Sequence, residues 1–235
     1  MAKRTSSQVE RYQLPTDISE CPFYGIPLDE EQKDFANAIL NPDNLIIFCN
    51  AKAGTGKTTV ATGVANLLVQ CDVNDGIVYI ASPVADSIQG YLPGSITEKS
   101  SVYFEAFYQA LITCNINPNS AINDESMVNQ KNGTGYITCI TDTYLRGSNL
   151  DNKVIIIDEA QNFTVAQLKK VLTRVSDRSK TIVIGHDKQC DLSNPTTSGF
   201  TKYIEHFKNE PYAAVCELKT NHRGIVSTHA DALEF

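Results

Sequence analysis

The segment AKAGTGKTT (51–59) decides the fold, because of what lies on either side of it. An apolar run, LIIFC (45–49), precedes it, and TTVATGVANLLVQ (58–70), which has a helical pattern, follows. A glycine-rich turn between a strand and a helix lets backbone N–H groups surround a phosphate at the positive end of the helix. In such a loop Lys57 would neutralise the β- and γ-phosphates, and the Thr58 hydroxyl would hold Mg²⁺. The predicted nucleotide contacts in this loop are Ala53, Gly54, Thr55, Gly56, Lys57, Thr58 and Thr59.

One position departs from the usual pattern of this loop, GxxxxGK[ST]. Ala51 stands where the first glycine is expected. A methyl group at the junction of strand and loop is a small change, and we expect the loop to accommodate it. The alternative, a glycine-rich turn that arises by chance, is disfavoured because the strand and the helix that the motif requires are both predicted.

The rest of the chain alternates between apolar runs and helical patterns. The apolar runs are LIIFC (45–49), IVYIA (77–81), YITCI (136–140), VIII (154–157), TIVI (181–184) and AAVCEL (213–218), and the helical patterns cover 28–40, 58–70, 98–112, 165–175 and 200–207. Solid apolar runs are typical of parallel strands that are buried on both faces. The pattern therefore predicts an α/β fold, with a mostly parallel, doubly wound sheet and helices on both faces. We expect an N-terminal arm over 1–25 and one domain over 26–235, with an Asn-rich surface insertion near 115–135.

Composition limits the classes of protein that fit. The 235 residues are 42% hydrophobic and 20% charged, which suits a single globular domain with one α/β core. A net charge of -7 argues against a broadly basic surface for nucleic acid, although a local basic groove stays open. The seven cysteines include no CxxC pair, which indicates reduced thiols. There is no signal-peptide pattern and no long apolar stretch, so we expect a cytoplasmic protein that does not enter a membrane.

Two acidic residues follow a buried strand in VIIIDEAQ (154–161). Asp158 at the strand tip would hold Mg²⁺, and Glu159 would accept a proton from an attacking water molecule. Because ligands of open α/β sheets gather at the carboxyl ends of strands, these acids should lie near the glycine-rich loop. A pair of solvated acids that cap the next helix is the alternative. Gln189, after another strand in TIVIGHDKQ (181–189), is a candidate for orienting water or the γ-phosphate, and an inert surface glutamine is its alternative.

The order of the motifs resembles the PhoH-like family, which is itself similar to the first domain of superfamily 1 helicases. The resemblance covers about 28–226 and rests on AGTGKT (53–58), SPVADSIQGYLPGSITEK (82–99), YLRGSNL (144–150), IIIDEAQN (155–162), LTRV (172–175), GHDKQCDL (185–192) and SGF (198–200). LPG (92–94) and LRG (145–147) are specific to that family. The resemblance implies a RecA-like P-loop NTPase domain that hydrolyses ATP with Mg²⁺.

The resemblance also assigns roles to single residues. Gln32 matches a glutamine that reads the adenine edge in related helicases, which implies ATP as the nucleotide. Gln161 and Gln189 match glutamines close to the γ-phosphate. In NHR (221–223), Arg223 matches an arginine brought to the nucleotide. The family further implies a homo-oligomer, a hexameric ring, in which a neighbouring subunit could supply an arginine; Arg146, Arg174 and Arg223 are the candidates.

Two departures from the family affect the expected chemistry. His186 stands where the family has an aspartate, so that carboxylate is either lost or replaced by Asp187. The register of Arg223 also differs from that of the family. Hydrolysis could therefore be slow.

Three functions are open. The first is an ATPase coupled to RNA or single-stranded DNA, the second is a nucleotide-gated oligomeric assembly protein with little or no turnover, and the third is a single-domain helicase-like component. An aromatic cluster, Tyr103, Phe104, Phe107 and Tyr108, could stack on bases, but its helical spacing favours a place in the core. The four histidines have no metal-ligand spacing.

Overall fold

The structure is a computed structural model that describes residues 13–82, 102–123, 135–142, 145 and 150–231. Four predicted features therefore lie wholly or partly outside the described residues: residues 1–12 of the expected arm, Arg146, most of the segment 82–99, and the part of the expected insertion from 124 to 134. No helix within the described ranges is long and apolar enough to cross a bilayer.

A six-stranded parallel sheet forms the centre of the domain. Its strands are β1 (Ile46–Ala51), β2 (Ile77–Ala81), β3 (Ile137–Thr141), β4 (Val154–Asp158), β5 (Lys180–Gly185) and β6 (Ala213–Leu218). They are arranged in the order β3-β2-β4-β5-β1-β6, and every neighbouring pair is parallel. The predicted parallel sheet is thus confirmed. Since β5 lies between β1 and β4, the glycine-rich loop and Asp158 emerge two strands apart at the same edge of the sheet.

Helices connect these strands. They are α1 (Glu30–Leu40), α2 (Lys57–Gln70), α3 (Glu105–Thr113), α4 (Pro118–Ala121), α5 (Val165–Leu172), α6 (Phe200–Phe207) and α7 (Ile225–Asp231). Two predicted helices differ at their ends. Within the described part of the one expected over 98–112, a short 3-10 turn precedes α3, which begins at Glu105. The one expected over 165–175 ends at Leu172.

The surface insertion expected near 115–135 begins as ordered structure. Asn117 caps α4 by accepting a hydrogen bond from the N–H of Asn119, and Pro118 occupies the first turn, where proline is favourable. Ala121 is buried, and Ile122 forms a parallel bridge with Ile137 at the start of β3. The described part of the insertion therefore contains a helical turn that a cap and a proline favour, while Asn115, Asn119 and Ser120 are exposed as expected of a surface segment.

Two apolar layers, one on each face of the sheet, place the helices. One contains buried residues of α1, α2 and α3, and the other contains buried residues of α5 and α6. Phe104 and Phe107 are 5% and 0% exposed, and Phe107 stacks on Tyr79 of β2 with ring centroids 4.1 Å apart. For these two aromatic residues the core interpretation is confirmed, while Tyr103 and Tyr108 are partly buried against the same layer.

The segment 13–25 lies across α1 and α2. It buries Ile18 and Phe23 in the first apolar layer. The Tyr24 hydroxyl donates to the carbonyl of Gly63 in α2 at 3.1 Å and accepts from Asn66 Nδ2 at 2.8 Å. A glycine at position 63 lets the two aromatic rings approach the backbone of α2, the helix that carries the glycine-rich loop at its N-terminus.

The close contact at Gly63 predicts that Gly63→Ala destabilises the protein. In an open helical site this change would stabilise by about 1 kcal/mol. Here the new Cβ would lie 2.4 Å from Cζ of Phe23, so we expect a loss of about 1–3 kcal/mol in the free energy of unfolding, measured with urea. In the Phe23→Ala background the same change should cost less. A more stable Gly63→Ala variant would contradict the prediction.

Candidate functional site

The glycine-rich loop lies between the end of β1 and the start of α2. Ala51 is the last residue of β1 and is 1% exposed, so its methyl group lies in the core rather than in the loop. This explains why alanine can replace the usual glycine. Gly54 and Gly56 both have φ of +75°, a backbone conformation that strongly favours glycine.

The two loop glycines also allow three side chains, two of them predicted site residues, to approach the loop closely. A Cβ at Gly56 would lie 2.8 Å from Nε2 of Gln32. One at Gly54 would lie 2.7 Å from Oδ1 of Asn221 and 2.9 Å from Cγ of Arg223. Gln32 and the Asn221–Arg223 segment, which lie far apart in the sequence, therefore both pack on the loop.

Asp158 is buried at the tip of β4 and accepts three hydrogen bonds. Its Oδ2 accepts from Thr58 Oγ1 and from the Tyr79 hydroxyl, each at 2.9 Å, and its Oδ1 accepts from the backbone N–H of Glu159 at 2.8 Å. Burial, and next the carboxylate of Glu159, raise the pKa of Asp158 above its ordinary value, whereas Lys57 acts in the opposite direction. The structure thus brings together Thr58 and Asp158, the two predicted Mg²⁺ ligands.

Tyr79 is the contact of Asp158 that sequence reasoning missed. It lies in the run IVYIA (77–81), in which the remaining four residues are aliphatic. A tyrosine in such a run is expected to pack in the core. The hydroxyl was the one available signal, because a buried tyrosine usually finds a hydrogen-bond partner.

Glu159 faces the loop with a strained backbone. Its φ of +50° is unusual for a residue with a side chain, and such strain clusters at functional sites. Its Oε1 lies 3.4 Å from Nζ of Lys57, and its Oε2 accepts from Nε2 of Gln161 at 2.6 Å. The carboxylate is half exposed, so it is available to a molecule that enters the site.

Gln161 is the buried hydrogen-bond partner of Glu159. It is 2% exposed, and its Oε1 accepts from the backbone N–H of His186 at 2.9 Å. Its carbonyl oxygen accepts from Ser198 Oγ at 2.9 Å. The amide is therefore fixed on one side and holds the Glu159 carboxylate on the other. Contact between Gln161 and a γ-phosphate stays a prediction.

The segment after β5 brings Gln189 to the site. Gln189 is exposed, and its backbone N–H donates to the carbonyl of His186, which closes a turn. His186 is 5% exposed, whereas Asp187 is exposed and its carboxylate lies 4.0 Å from Nε2 of His186. Asp187 therefore does not occupy the buried position that His186 fills; whether it replaces the carboxylate implied by the resemblance stays a prediction.

Gln32 joins α1 to the loop. Its Nε2 donates to the Thr55 carbonyl at 2.9 Å, and its Oε1 accepts from the backbone N–H of Asp29 at 3.1 Å in a capping box. An amide has two N–H groups and two acceptor lone pairs, so one of each remains beyond these bonds. One free N–H group and one free lone pair are enough to form two hydrogen bonds with the edge of an adenine base. This role of Gln32 stays a prediction.

The segment 219–223, here called the return segment, folds back onto α1 and the loop. Backbone N–H groups of Lys219 and Thr220 donate to Glu31 Oε2 at 2.7 and 3.1 Å. The N–H of His222 donates to the Gly54 carbonyl at 2.9 Å, and its Nε2 lies 2.8 Å from Asp29 Oδ2. These contacts fix the position of the next residue, Arg223.

Of the two candidate arginines that the structure describes, Arg223 reaches the site within its own chain. It lines the same cleft as Lys57 and Glu159. Arg174 follows the end of α5 and donates from Nη1 to the Leu145 carbonyl at 2.5 Å, and it is not among the residues that line the cleft.

The cleft has a volume of about 780 Å³, within the roughly 300–1,000 Å³ typical of small-molecule sites. Most of the predicted site residues line the cleft: Gln32, Ala53, Gly54, Thr55, Gly56, Lys57, Thr58, Thr59, Glu159, Gln189 and Arg223. Asp158, Gln161 and Arg174 do not. Over the described ranges, no group of three or more His, Cys, Asp or Glu could hold a metal ion. Mg²⁺ usually takes one or two protein ligands beside phosphates and water, and the paired oxygens of Thr58 and Asp158 fit that requirement.

Comparison with protein families identifies the chain. Residues 26–229 match the family model described as PhoH-like protein. The chain belongs to the PhoH-like protein family. Protein PhoH of Escherichia coli (strain K12) is 32% identical over 188 residues, which are 80% of this chain and 51% of the relative. A PhoH-like protein of Synechocystis sp. is 35% identical over 191 residues, or 80% of this chain and 54% of the relative.

A PhoH-like protein of Mycobacterium leprae (strain TN) is 31% identical over 210 residues, 88% of this chain and 57% of the relative. This PhoH-like chain therefore spans about half the length of the curated relatives that it matches.

Solved structures with the same fold include the large terminases of two bacteriophages. That of bacteriophage HK97 aligns with a TM-score of 0.52 at 16% identity, over 87% of this chain and 42% of the terminase. The large terminase of a thermophilic bacteriophage, solved in complex with ADP, aligns with a TM-score of 0.52 at 13% identity, over 82% of this chain and 46% of the terminase. At these identities the likeness concerns the fold, and it agrees with the RecA-like P-loop architecture.

Proposed function

We propose that this PhoH-like chain binds Mg²⁺–ATP in the cleft and hydrolyses it. One observation carries the proposal: the Glu159 carboxylate is held between Lys57 and Gln161 beside the glycine-rich loop. A carboxylate held beside a phosphate site suits a general base, because it can accept a proton from water that attacks the γ-phosphate.

The predicted site residues have distinct parts in the proposed reaction. Backbone N–H groups of the loop bind the β-phosphate at the N-terminus of α2, and Lys57 neutralises charge on the β- and γ-phosphates. Thr58 and Asp158 would hold Mg²⁺, which neutralises charge on the phosphates. Glu159 accepts the proton of the attacking water, and Gln189 orients that water. Arg223 stabilises the charge that develops on the transferred phosphoryl group.

The nucleotide and the partners are further parts of the proposal. Gln32 selects ATP through its remaining N–H and lone pair. The family resemblance supports coupling of hydrolysis to RNA or single-stranded DNA, and assembly into a hexameric ring. Because Arg223 already lies at the loop of its own chain, we do not require a neighbouring subunit to supply the arginine.

A second candidate function is a nucleotide-gated assembly protein with little turnover. The buried His186 favours it, since it stands where the family resemblance implies a carboxylate and the neighbouring Asp187 is exposed. Bound nucleotide measured against released phosphate separates the two functions. Release of phosphate that rises with added RNA or single-stranded DNA supports the coupled ATPase, whereas stoichiometric binding without release supports the assembly protein.

Lys57→Ala tests the binding site directly. Charge-assisted hydrogen bonds contribute about 1.5–3 kcal/mol each, so we expect ATP affinity to fall about 10- to 100-fold. Titration with a fluorescent ATP analogue measures it. Lys208→Ala is a matched control, because Lys208 pairs with the exposed Glu205 at the end of α6. Equal affinity in the Lys57→Ala variant and the unmodified protein would refute a nucleotide site at this loop.

A further inference from the structure

We propose that Tyr79 is a positioning residue for the metal site, and that its hydroxyl orients the Asp158 carboxylate for Mg²⁺. This inference rests on the proposed function, because it concerns the metal that would accompany ATP. It adds a residue from β2, a strand whose residues do not line the cleft and include none of the predicted site residues.

The hydrogen bonds of Asp158 fix both of its carboxylate oxygens. Oδ1 accepts from the N–H of Glu159, and Oδ2 accepts from both Thr58 and Tyr79. Each carboxylate oxygen has two lone pairs in the plane of the group. Bonds at both oxygens stop the carboxylate from rotating about its Cβ–Cγ bond. Without Tyr79, Oδ2 would be held by Thr58 alone, and Thr58 is itself a proposed metal ligand.

The sheet register explains how Tyr79 reaches Asp158. Tyr79 pairs with Ile156, and Ala81 pairs with Asp158, on the neighbouring strands β2 and β4. Side chains two residues apart on a strand point to the same face of the sheet. Tyr79 and Asp158 therefore share a face, and the tyrosine extends along the strand direction to the carboxylate.

The tyrosine ring is itself held rigidly. It is 1% exposed, it stacks on Phe107 of α3 with an interplanar angle of 15°, and it meets the edge of Phe104. A donor fixed by packing can hold its acceptor in place, since little side-chain freedom is lost when the bond forms. Phenylalanine at this position would keep the ring contacts and remove only the hydroxyl.

Partners that orient a metal ligand usually contribute about 10- to 100-fold to metal affinity. We therefore expect Tyr79→Phe to weaken Mn²⁺ binding to the protein–ADP complex about 10-fold or more, measured by electron paramagnetic resonance. Binding of ADP in EDTA should not change, because the loop contacts to phosphate are intact. This combination of results separates a role at the metal from general damage to the fold.

Tyr136→Phe is the matched control. Its hydroxyl donates to Asn66 Oδ1 at 2.6 Å, away from Asp158, so the variant loses a comparable hydrogen bond and should keep the Mn²⁺ affinity of the unmodified protein. Thermal unfolding should shift similarly in both variants. Equal Mn²⁺ affinity in Tyr79→Phe and the unmodified protein would overturn this inference alone. Failure of the unmodified protein to bind Mn²⁺ with ADP would overturn the proposed function and the inference with it.

Discussion

Replacing Glu159 with glutamine is expected to lower the rate of ATP hydrolysis about 10²- to 10⁴-fold while ATP remains bound. The amide keeps the size of the side chain and can still accept a hydrogen bond from Gln161, but it cannot take a proton from water. Lys57, the proposed phosphate contact, is unchanged. Phosphate release in single-turnover experiments measures the chemical step, and a fluorescent ATP analogue measures binding.

The control for Glu159→Gln is Glu205→Gln. Glu205 is exposed and pairs with Lys208, so its loss should leave both rate and affinity unchanged. A Glu159→Gln variant that hydrolyses ATP at the unmodified rate would refute Glu159 as the base. Binding without turnover in the unmodified protein would instead favour the assembly function.

The strands could be predicted because of how they are buried. Four of the six, β1, β2, β4 and β5, lie between two neighbours in the sheet and are buried along almost their whole length. Such strands have solid apolar sequences, as in VIII (154–157). The glycine-rich loop could be predicted for a similar reason, since backbone geometry at Gly54 and Gly56 disfavours side chains. Burial on both faces of the sheet decides the residue types of these strands, and backbone conformation decides the glycines of the loop. Both properties are local, so the sequence alone is enough to predict the strands and the loop.

Contacts between distant segments could not be predicted in this way. Tyr79 and Asp158 are 79 residues apart, and a buried tyrosine in a strand has the same appearance whether or not its hydroxyl meets a functional carboxylate. The hydrogen bond from Gln161 to Glu159 was also not predicted, and it forms where the backbone of Glu159 adopts a left-handed conformation. The direction in which a side chain points after the end of a strand depends on the local backbone conformation. The residue types alone do not specify that conformation.

The contacts of the return segment could not be predicted from the sequence either. They bear on which subunit supplies the arginine for catalysis. Sequence reasoning favoured an arginine from a neighbouring subunit, because related enzymes supply it from outside the nucleotide-binding domain. The hydrogen bonds of Glu31 and Asp29 to this segment instead hold Arg223 over the loop of its own chain. These two acids precede Arg223 by almost the whole length of the domain, so their contact becomes visible only in the folded protein.

Removal of Arg223 should have an effect comparable to that of removing Glu159. An arginine that stabilises the phosphoryl transition state contributes about 10³-fold or more to the rate, so Arg223→Ala should lose about that factor. Arg174→Ala should retain the unmodified rate, because its guanidinium bonds the Leu145 carbonyl away from the cleft. Steady-state phosphate release measures both variants.

Mixing two inactive variants decides which chain supplies the arginine. Arg223→Ala keeps Glu159, and Glu159→Gln keeps Arg223, so a ring that shares sites between subunits would form some complete sites when the two proteins are combined. An arginine that acts within its own chain forms none, and the mixture should hydrolyse ATP no faster than the average of its components. Recovery of activity on mixing would show that Arg223 acts on a neighbour, and the contacts that hold it to Gly54 would then describe a chain without its partner.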